Sequence, residues 1–325
     1  MRARLPVGVI GVGALGRHHA RHLASFHGVD LVGVHDLDTP RALSVAAETG
    51  CAAFNDVDDL LQRVQAVTVA VPTPAHVDVG IRALEAGVPV LMEKPLAASL
   101  EEADQLIDTA DRTGLQLQVG HIERFNRAIR AAQQHFGDIR YFESTRLAPF
   151  QPRGTDVAVV LDLMIHDLDL VLHLTGGAEV LDVRASGVAV LTPFLDLATA
   201  RVEFANGAVA MVTSSRMARE RTRKLRMFQS NGYFSLDLAA GNGDFMRIRP
   251  SWIPGTGTSL QEIVEHVPLA APQADALALE LASFVHAVRG HRDTVVSGPE
   301  GRAALALALR VTAAVESAPV ARPVG

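Results

Sequence analysis

The sequence predicts an α/β chain in two parts, a parallel doubly wound sheet followed by an open, mostly antiparallel sheet with helices of its own. Three observations carry that expectation. Short continuous apolar runs alternate with helix-forming stretches up to Gly120, a Gly-x-Gly-x-x-Gly turn follows the first of these runs, and beyond Gly120 the runs become longer and alternate imperfectly.

The apolar runs Leu5 to Ile10, Val29 to His35, Ala66 to Val71, Pro89 to Met92 and Leu115 to Val119 read as strands buried on both faces by crossover helices. The stretches between them, Leu15 to Phe26, Thr39 to Thr49, Val57 to Arg63, Ala75 to Ala86 and Ser99 to Thr113, supply those helices. Past Gly120 a helix is expected near Asn126 to Phe136, a strand over Ile139 to Leu147 and a helix from about Val159 to Leu174. Strands follow over Val180 to Val190, Leu195 to Phe204, Ala208 to Ser215, Arg223 to Gln229 and Tyr233 to Leu238, and the Asn206-Gly207 and Asn231-Gly232 pairs signal hairpins. Helices over Ala274 to Val288 and Pro299 to Ser317 close the chain, and the tail Ala318 to Gly325 is expected to be loose.

At 325 residues the chain exceeds the roughly 100 to 200 residues of one domain, so two domains are expected, 1–121 and 122–325, with the closing helices able to pack back on the first. A content of 48% hydrophobic and 20% charged residues speaks against disorder or a fibrous repeat. The net charge of −6 makes nucleic acid a poor partner. A single cysteine, Cys51, allows neither an internal disulfide nor a structural zinc site, which suits a reducing cytoplasm. The opening MRARLPVGVIGVGALG has the basic start of an export signal, but its glycines and the RHHARH that follows leave no proper apolar region; no run approaches the ~18 apolar residues of a membrane span. A soluble, unprocessed chain without a membrane partner is expected.

Of thirty basic residues only Lys94 and Lys224 are lysines, the other twenty-eight being arginine. Arginine stays protonated at any useful pH, whereas an amine can be tuned to exchange a proton. Lys94 is therefore a candidate for proton transfer.

Gly11-Val12-Gly13-Ala14-Leu15-Gly16 lies between the first strand and the first helix, where glycines let the backbone approach a pyrophosphate and aim the helix N-terminus at its charge. Twenty residues beyond Gly16, at the end of the second strand, Asp36 is placed to accept hydrogen bonds from ribose hydroxyls and to repel a 2′-phosphate, which favours NAD over NADP. The competing reading is a plain glycine turn with an unrelated surface aspartate. Val71, Thr73 and His76, in the stretch Val71-Pro-Thr-Pro-Ala-His76, and Glu93-Lys94-Pro95 both follow strands, at the carboxyl ends where open α/β sheets bind ligands. For Glu93-Lys94 the bland alternative is an exposed ion pair.

Asp162, His166 and Asp169 fall at i, i+4 and i+7 of one helix face; a carboxylate one turn from an imidazole suits a general base, and a helix-surface ion pair is the alternative. His18, His19 and His22 read as a first-helix surface, since no nearby acid or thiol completes a metal set. The run Arg216, Arg219, Arg221, Arg223, Lys224, Arg226 is either a solvated strand edge or an anion site. No metal is called for.

These pieces in this order resemble the Gfo/Idh/MocA family, in GVGALGRHHARHL, the EKP tripeptide, the DxxxH helix, Gly232-Tyr-Phe-Ser-Leu-Asp237 and the closing helices. The resemblance implies a Rossmann domain that binds NAD, a second α/β domain whose open sheet makes oligomer contacts in a homodimer or homotetramer, and hydride transfer between a sugar or polyol and a nicotinamide. Lys94, Asp162 and His166 match the family's catalytic positions. The cofactor would meet Gly11, Gly13, Ala14, Leu15, Gly16, Asp36, Val71, Thr73, His76, Glu93 and Lys94. Gly120-His121-Ile-Glu-Arg124-Phe-Asn126, with Arg153-Gly-Thr-Asp156 and LDLMIHDLDLVL, is most similar to the UDP-N-acetylglucosamine 3-dehydrogenase branch. That implies oxidation of a UDP-N-acetylhexosamine or its uronate at C3, with Arg124, Asn126 and Arg153 joining Lys94, Asp162 and His166 at the substrate. Arg124, Arg146, Arg153 and the patch from Arg216 to Arg226 offer the forked donors that a diphosphate prefers. A dehydrogenase of free sugars or inositols is the rival reading, and a non-catalytic dinucleotide sensor, which would have little need of Lys94, Asp162 and His166 together, is the other.

Overall fold

The structure, a computed structural model, describes residues 3–151, 157–256, 259–291 and 293–317. The chain forms two compact units, one running up to Ile122 and including Ala274–Leu305, the other covering Glu123–Gln273 and the chain from Ala306 onward. The tail beyond Ser317 lies outside the described residues.

The first unit holds six parallel strands: β1 (Leu5–Ile10), β2 (Val29–His35), β3 (Ala52–Phe54), β4 (Ala66–Val69), β5 (Val90–Glu93) and β6 (Leu117–Gly120), in the order β3-β2-β1-β4-β5-β6. The uninterrupted apolar runs are explained by burial on both faces. Val7, Val9 and Val34 are inaccessible to solvent and share a core with Ala20 and Leu23 of the helix Gly16–Ser25 and with Leu281 and Phe284 of the helix Ala276–Val288. The strand order reverses between β1 and β4, the switch point at which open α/β sheets take ligands. Gly11 follows β1, and Val71 comes shortly after β4. The sequence does not announce β3, a three-residue edge strand with Ala52 exposed and Ala53 and Phe54 half buried.

In the second unit eight strands form one sheet: β7 (Ile139–Leu147), β8 (Val180–Val188), β9 (Leu197–Phe204), β10 (Val209–Ser215), β11 (Thr222–Gln229), β12 (Gly232–Asp237), β13 (Asn242–Ile248) and β14 (Val264–Leu269). Their order is β14-β13-β12-β11-β7-β10-β9-β8, antiparallel throughout except between β7 and β10. Alternation sets the buried face, with Ala198, Ala200, Val202 and Phe204 of β9 inside and their neighbours half exposed. The helix expected over Val159 to Leu174 is not uniform. It opens as a wide π turn over Val160–Met164 and continues as an α-helix over Ile165–Leu174, packed on β7 and β10.

Candidate active site

The glycine turn separates into residues that the chain itself needs and one that it does not. Gly11 has φ +81°, and a Cβ there would lie 2.8 Å from the Ala70 carbonyl; a Cβ on Gly16 would lie 1.8 Å from the Gly11 oxygen. Gly13 is neither in the left-handed region nor crowded by backbone, its nearest neighbour being the Arg41 guanidinium at 3.6 Å. The fold leaves room for a side chain at Gly13, and a bare backbone there would let a phosphate come close. The helix Gly16–Ser25 begins after Ala14 and Leu15 with no side-chain cap and no acid in its first turn, so its positive end is left for an anion.

Asp36 faces this turn. Its carboxylate accepts the Val12 N–H at 2.8 Å and the Asp38 N–H at 2.9 Å, which fixes both oxygens. The Arg41 guanidinium pairs with Asp38 at 2.7 Å and stands 3.7 Å from Asp36. Hydrogen bonding from Arg41 holds the Asp38 carboxyl below the usual carboxylate range. Beside it Leu37, which the sequence reasoning passed over, is 96% exposed, an apolar side chain with nothing of this chain packed on it. The glycine turn and Asp36 together fit a dinucleotide.

At the ends of β4 and β5 the structure corrects one expectation and rules out one alternative. His19 is not on a helix surface: it is fully buried, with Nε2 3.0 Å from Oε1 of Glu93. Glu93 in turn is no exposed partner of Lys94; its other oxygen accepts the Lys94 backbone N–H at 3.3 Å. His76 is 1% exposed, its ring held between the carbonyls of Pro95, 2.9 Å from Nδ1, and Val71, 3.0 Å from Nε2. It ties together the two loops that follow β4 and β5. Thr73 opens a tight turn, Thr73–Ala75, that leads into the helix His76–Glu85.

The second unit brings Asp162 and His166 to the junction of the π turn and the α-helix, both half buried. Single π turns inside helices are frequent at functional sites. Asp169, one turn further on, is engaged within the protein. It is buried and receives a two-pronged bond from Arg124, at 2.9 and 2.7 Å, while the same guanidinium lies 3.1 Å from Nδ1 of His173. Asn126 caps the helix Arg127–Ala132 and donates to Glu123 and to the Leu238 carbonyl. The expected substrate donors of Arg124 and Asn126 are thus engaged within the protein. Arg153 lies outside the described residues.

The arginines counted toward a diphosphate are also largely engaged. Arg146 is buried between Asp167, at 2.6 Å, and Glu123, at 2.8 Å. Burial works against its charge, but the two carboxylates outweigh it and raise its pKa further; burial likewise resists ionisation of Glu123, which Arg146 and Arg223 hold ionised. Arg223 approaches Glu123 at 3.3 Å, Lys224 pairs with Asp237 and Arg226 with Glu143. Arg216 is buried, donating to the Val157 carbonyl at 2.6 Å beside Asp196. Arg219 and Arg221 remain exposed and outside any ion pair among the described residues. The sequence missed this network because Glu123 and Asp167 give no local sign that they will be buried.

Two family models match the chain, an oxidoreductase family with an NAD-binding Rossmann fold over residues 5–121 and the GFO/IDH/MocA C-terminal domain over residues 127–235. The chain belongs to the Gfo/Idh/MocA family. This Gfo/Idh/MocA protein is an NAD-dependent oxidoreductase. It is 45% identical over 311 residues, 95% of its length and 97% of the relative's, to the UDP-N-acetylglucosamine 3-dehydrogenase of Acidithiobacillus ferrooxidans. A solved structure of that enzyme superposes with a TM-score of 0.90, covering 97% of this chain and 98% of that one. The scyllo-inositol 2-dehydrogenase (NAD(+)) of Bacillus subtilis is 32% identical over 66% of this chain and 68% of its own. Among the described residues no helix is long and apolar enough to cross a membrane.

Proposed function

We propose that this chain oxidises the C3 hydroxyl of a UDP-N-acetylhexosamine, UDP-N-acetylglucosamine or its uronate, to a ketone. The observation that carries this reading is the 45% identity to a UDP-N-acetylglucosamine 3-dehydrogenase over nearly the full length of both chains. The count of arginines supports it less, since most of them serve internal carboxylates. Arg219 and Arg221 are the donors left for a phosphate.

Bound NAD supplies the two-electron acceptor, and the turn Gly11–Gly16, Asp36, Val71 and Thr73 would hold it. The substrate hydroxyl must also lose a proton. Lys94 or His166 takes it, the other group stabilises the developing oxyanion, and Asp162 supports the imidazole. Substrate binding and oligomer contacts, in a homodimer or homotetramer, fall to residues 122–325, and the protein works in the cytoplasm. Absorbance of reduced nicotinamide tests the reading, with UDP-N-acetylglucosamine compared with glucose, myo-inositol and free N-acetylglucosamine. The nucleotide sugar is expected to have the highest kcat/KM; a free sugar or polyol in that place would overturn the assignment and leave the family standing.

A further inference from the structure

The ladder between β4 and β5 stops at Val69 and Met92, so no pairing between these two strands holds their following loops to each other. A side chain does. His76 sits under both loops, buried, with Nδ1 on the Pro95 carbonyl and Nε2 on the Val71 carbonyl. Pro95 immediately follows Lys94, so a bond to its carbonyl restrains the peptide carrying the lysine. Glu93 restrains the other side through the Lys94 N–H.

We propose that His76 is a positioning residue for Lys94, acting through an Nδ1–H bond to the Pro95 carbonyl; this rests on the role given above to Lys94 in proton transfer. A neutral imidazole carries one N–H and can serve only one of the two carbonyls as donor. Burial favours that neutral ring, outweighing the carbonyls and Glu93, which favour the cation. Positioning of Lys94 requires the proton on Nδ1. If the ring served only to fill space or to brace the Val71 loop, the bond to Pro95 would not matter.

Two amides separate these roles. His76→Asn keeps an N–H near the place of Nδ1, and His76→Gln keeps one near the place of Nε2. With UDP-N-acetylglucosamine and NAD, His76→Asn is expected to stay within about threefold of wild-type kcat and His76→Gln to lose about tenfold or more, because a displaced catalytic group is costly. NAD affinity, read by calorimetry, should stay within about threefold in both. Equal kcat in the two variants, or a loss that appears in NAD affinity instead, overturns the proposal. Should either variant fail to fold, nitrogen NMR of the wild-type protein decides alone: a protonated Nδ1 on His76 supports the assignment, and a proton found only on Nε2 overturns it. Lys94→Ala is the control. Full turnover by that variant defeats the role of Lys94 itself, whereas its inactivity beside equal His76 variants defeats only the His76 link.

Discussion

His19 and Glu93, 74 positions apart in sequence, meet at 3.0 Å with both side chains buried. The contact joins the helix that leaves the glycine turn to the strand that delivers Lys94, so the dinucleotide end of the first unit and its lysine are braced by one polar pair. Glu93→Ala would leave His19 buried without that partner, at a cost of about 1–3 kcal/mol. Glu93→Gln keeps an acceptor and should cost less. Denaturant unfolding should rank the proteins wild type, Gln, Ala; an Ala variant as stable as wild type would mean that the pair contributes nothing.

Asp36 uses both oxygens to hold the backbone of the glycine turn and of its own loop. Asp36→Ala is expected to weaken NAD binding by about tenfold, the loss of one charge-assisted hydrogen bond or two. It should also narrow the preference over NADP, since Arg41, 3.7 Å from Asp36, would keep only Asp38 as an acid partner. Calorimetric titration of both dinucleotides checks this; an unchanged ratio would contradict the role given to the carboxylate.

Lys94→Arg retains the charge and loses the tunable proton, and His166→Ala removes the imidazole. Each is expected to lower kcat by about 10²- to 10⁴-fold while NAD affinity stays measurable. Turnover near the wild-type rate in Lys94→Arg would return that lysine to a purely electrostatic role, and loss of NAD binding in His166→Ala would show that the imidazole serves the cofactor instead.

Much of this was legible in the sequence, because a parallel strand buried on both faces leaves an uninterrupted apolar run and a glycine turn needs its glycines in place. The strands β13 and β14 were not legible: Asn-Gly-Asp-Phe-Met-Arg-Ile and Val-Glu-His-Val-Pro-Leu carry turn residues and charges, and only their neighbours make them strands. The π turn around Asp162 was hidden because an apolar stretch reads as an ordinary helix. His19 and the arginine patch misled for a common reason. A polar side chain looks exposed until its partner is known, and the partner of Arg223 is Glu123, 100 positions away.

Asp196 offers a test that needs no substrate. Burial opposes its ionisation, but the backbone N–H groups of Val190, Leu191 and Thr192, with the Thr192 hydroxyl, outweigh it and bring its pKa down to about 2. A depressed carboxylate stabilises the fold above its unfolded pKa, and that contribution fades as pH falls through the folded one. Asp196 should therefore supply on the order of 2 kcal/mol at neutral pH, lost between about pH 4 and pH 2. Asp196→Asn should show a lower unfolding free energy at pH 7 and a flatter dependence across that window; curves that stay parallel down to pH 2 would contradict it.

The regiochemistry of the proposed reaction can be read from a single label. UDP-N-acetylglucosamine carrying deuterium at C3, incubated with the protein and NAD, is predicted to yield reduced nicotinamide that has gained the deuterium, seen by mass spectrometry. Reduced nicotinamide formed without the label would place the oxidation at another carbon, and no reduction from this substrate beside rapid reduction from an inositol would remove the nucleotide sugar from the account.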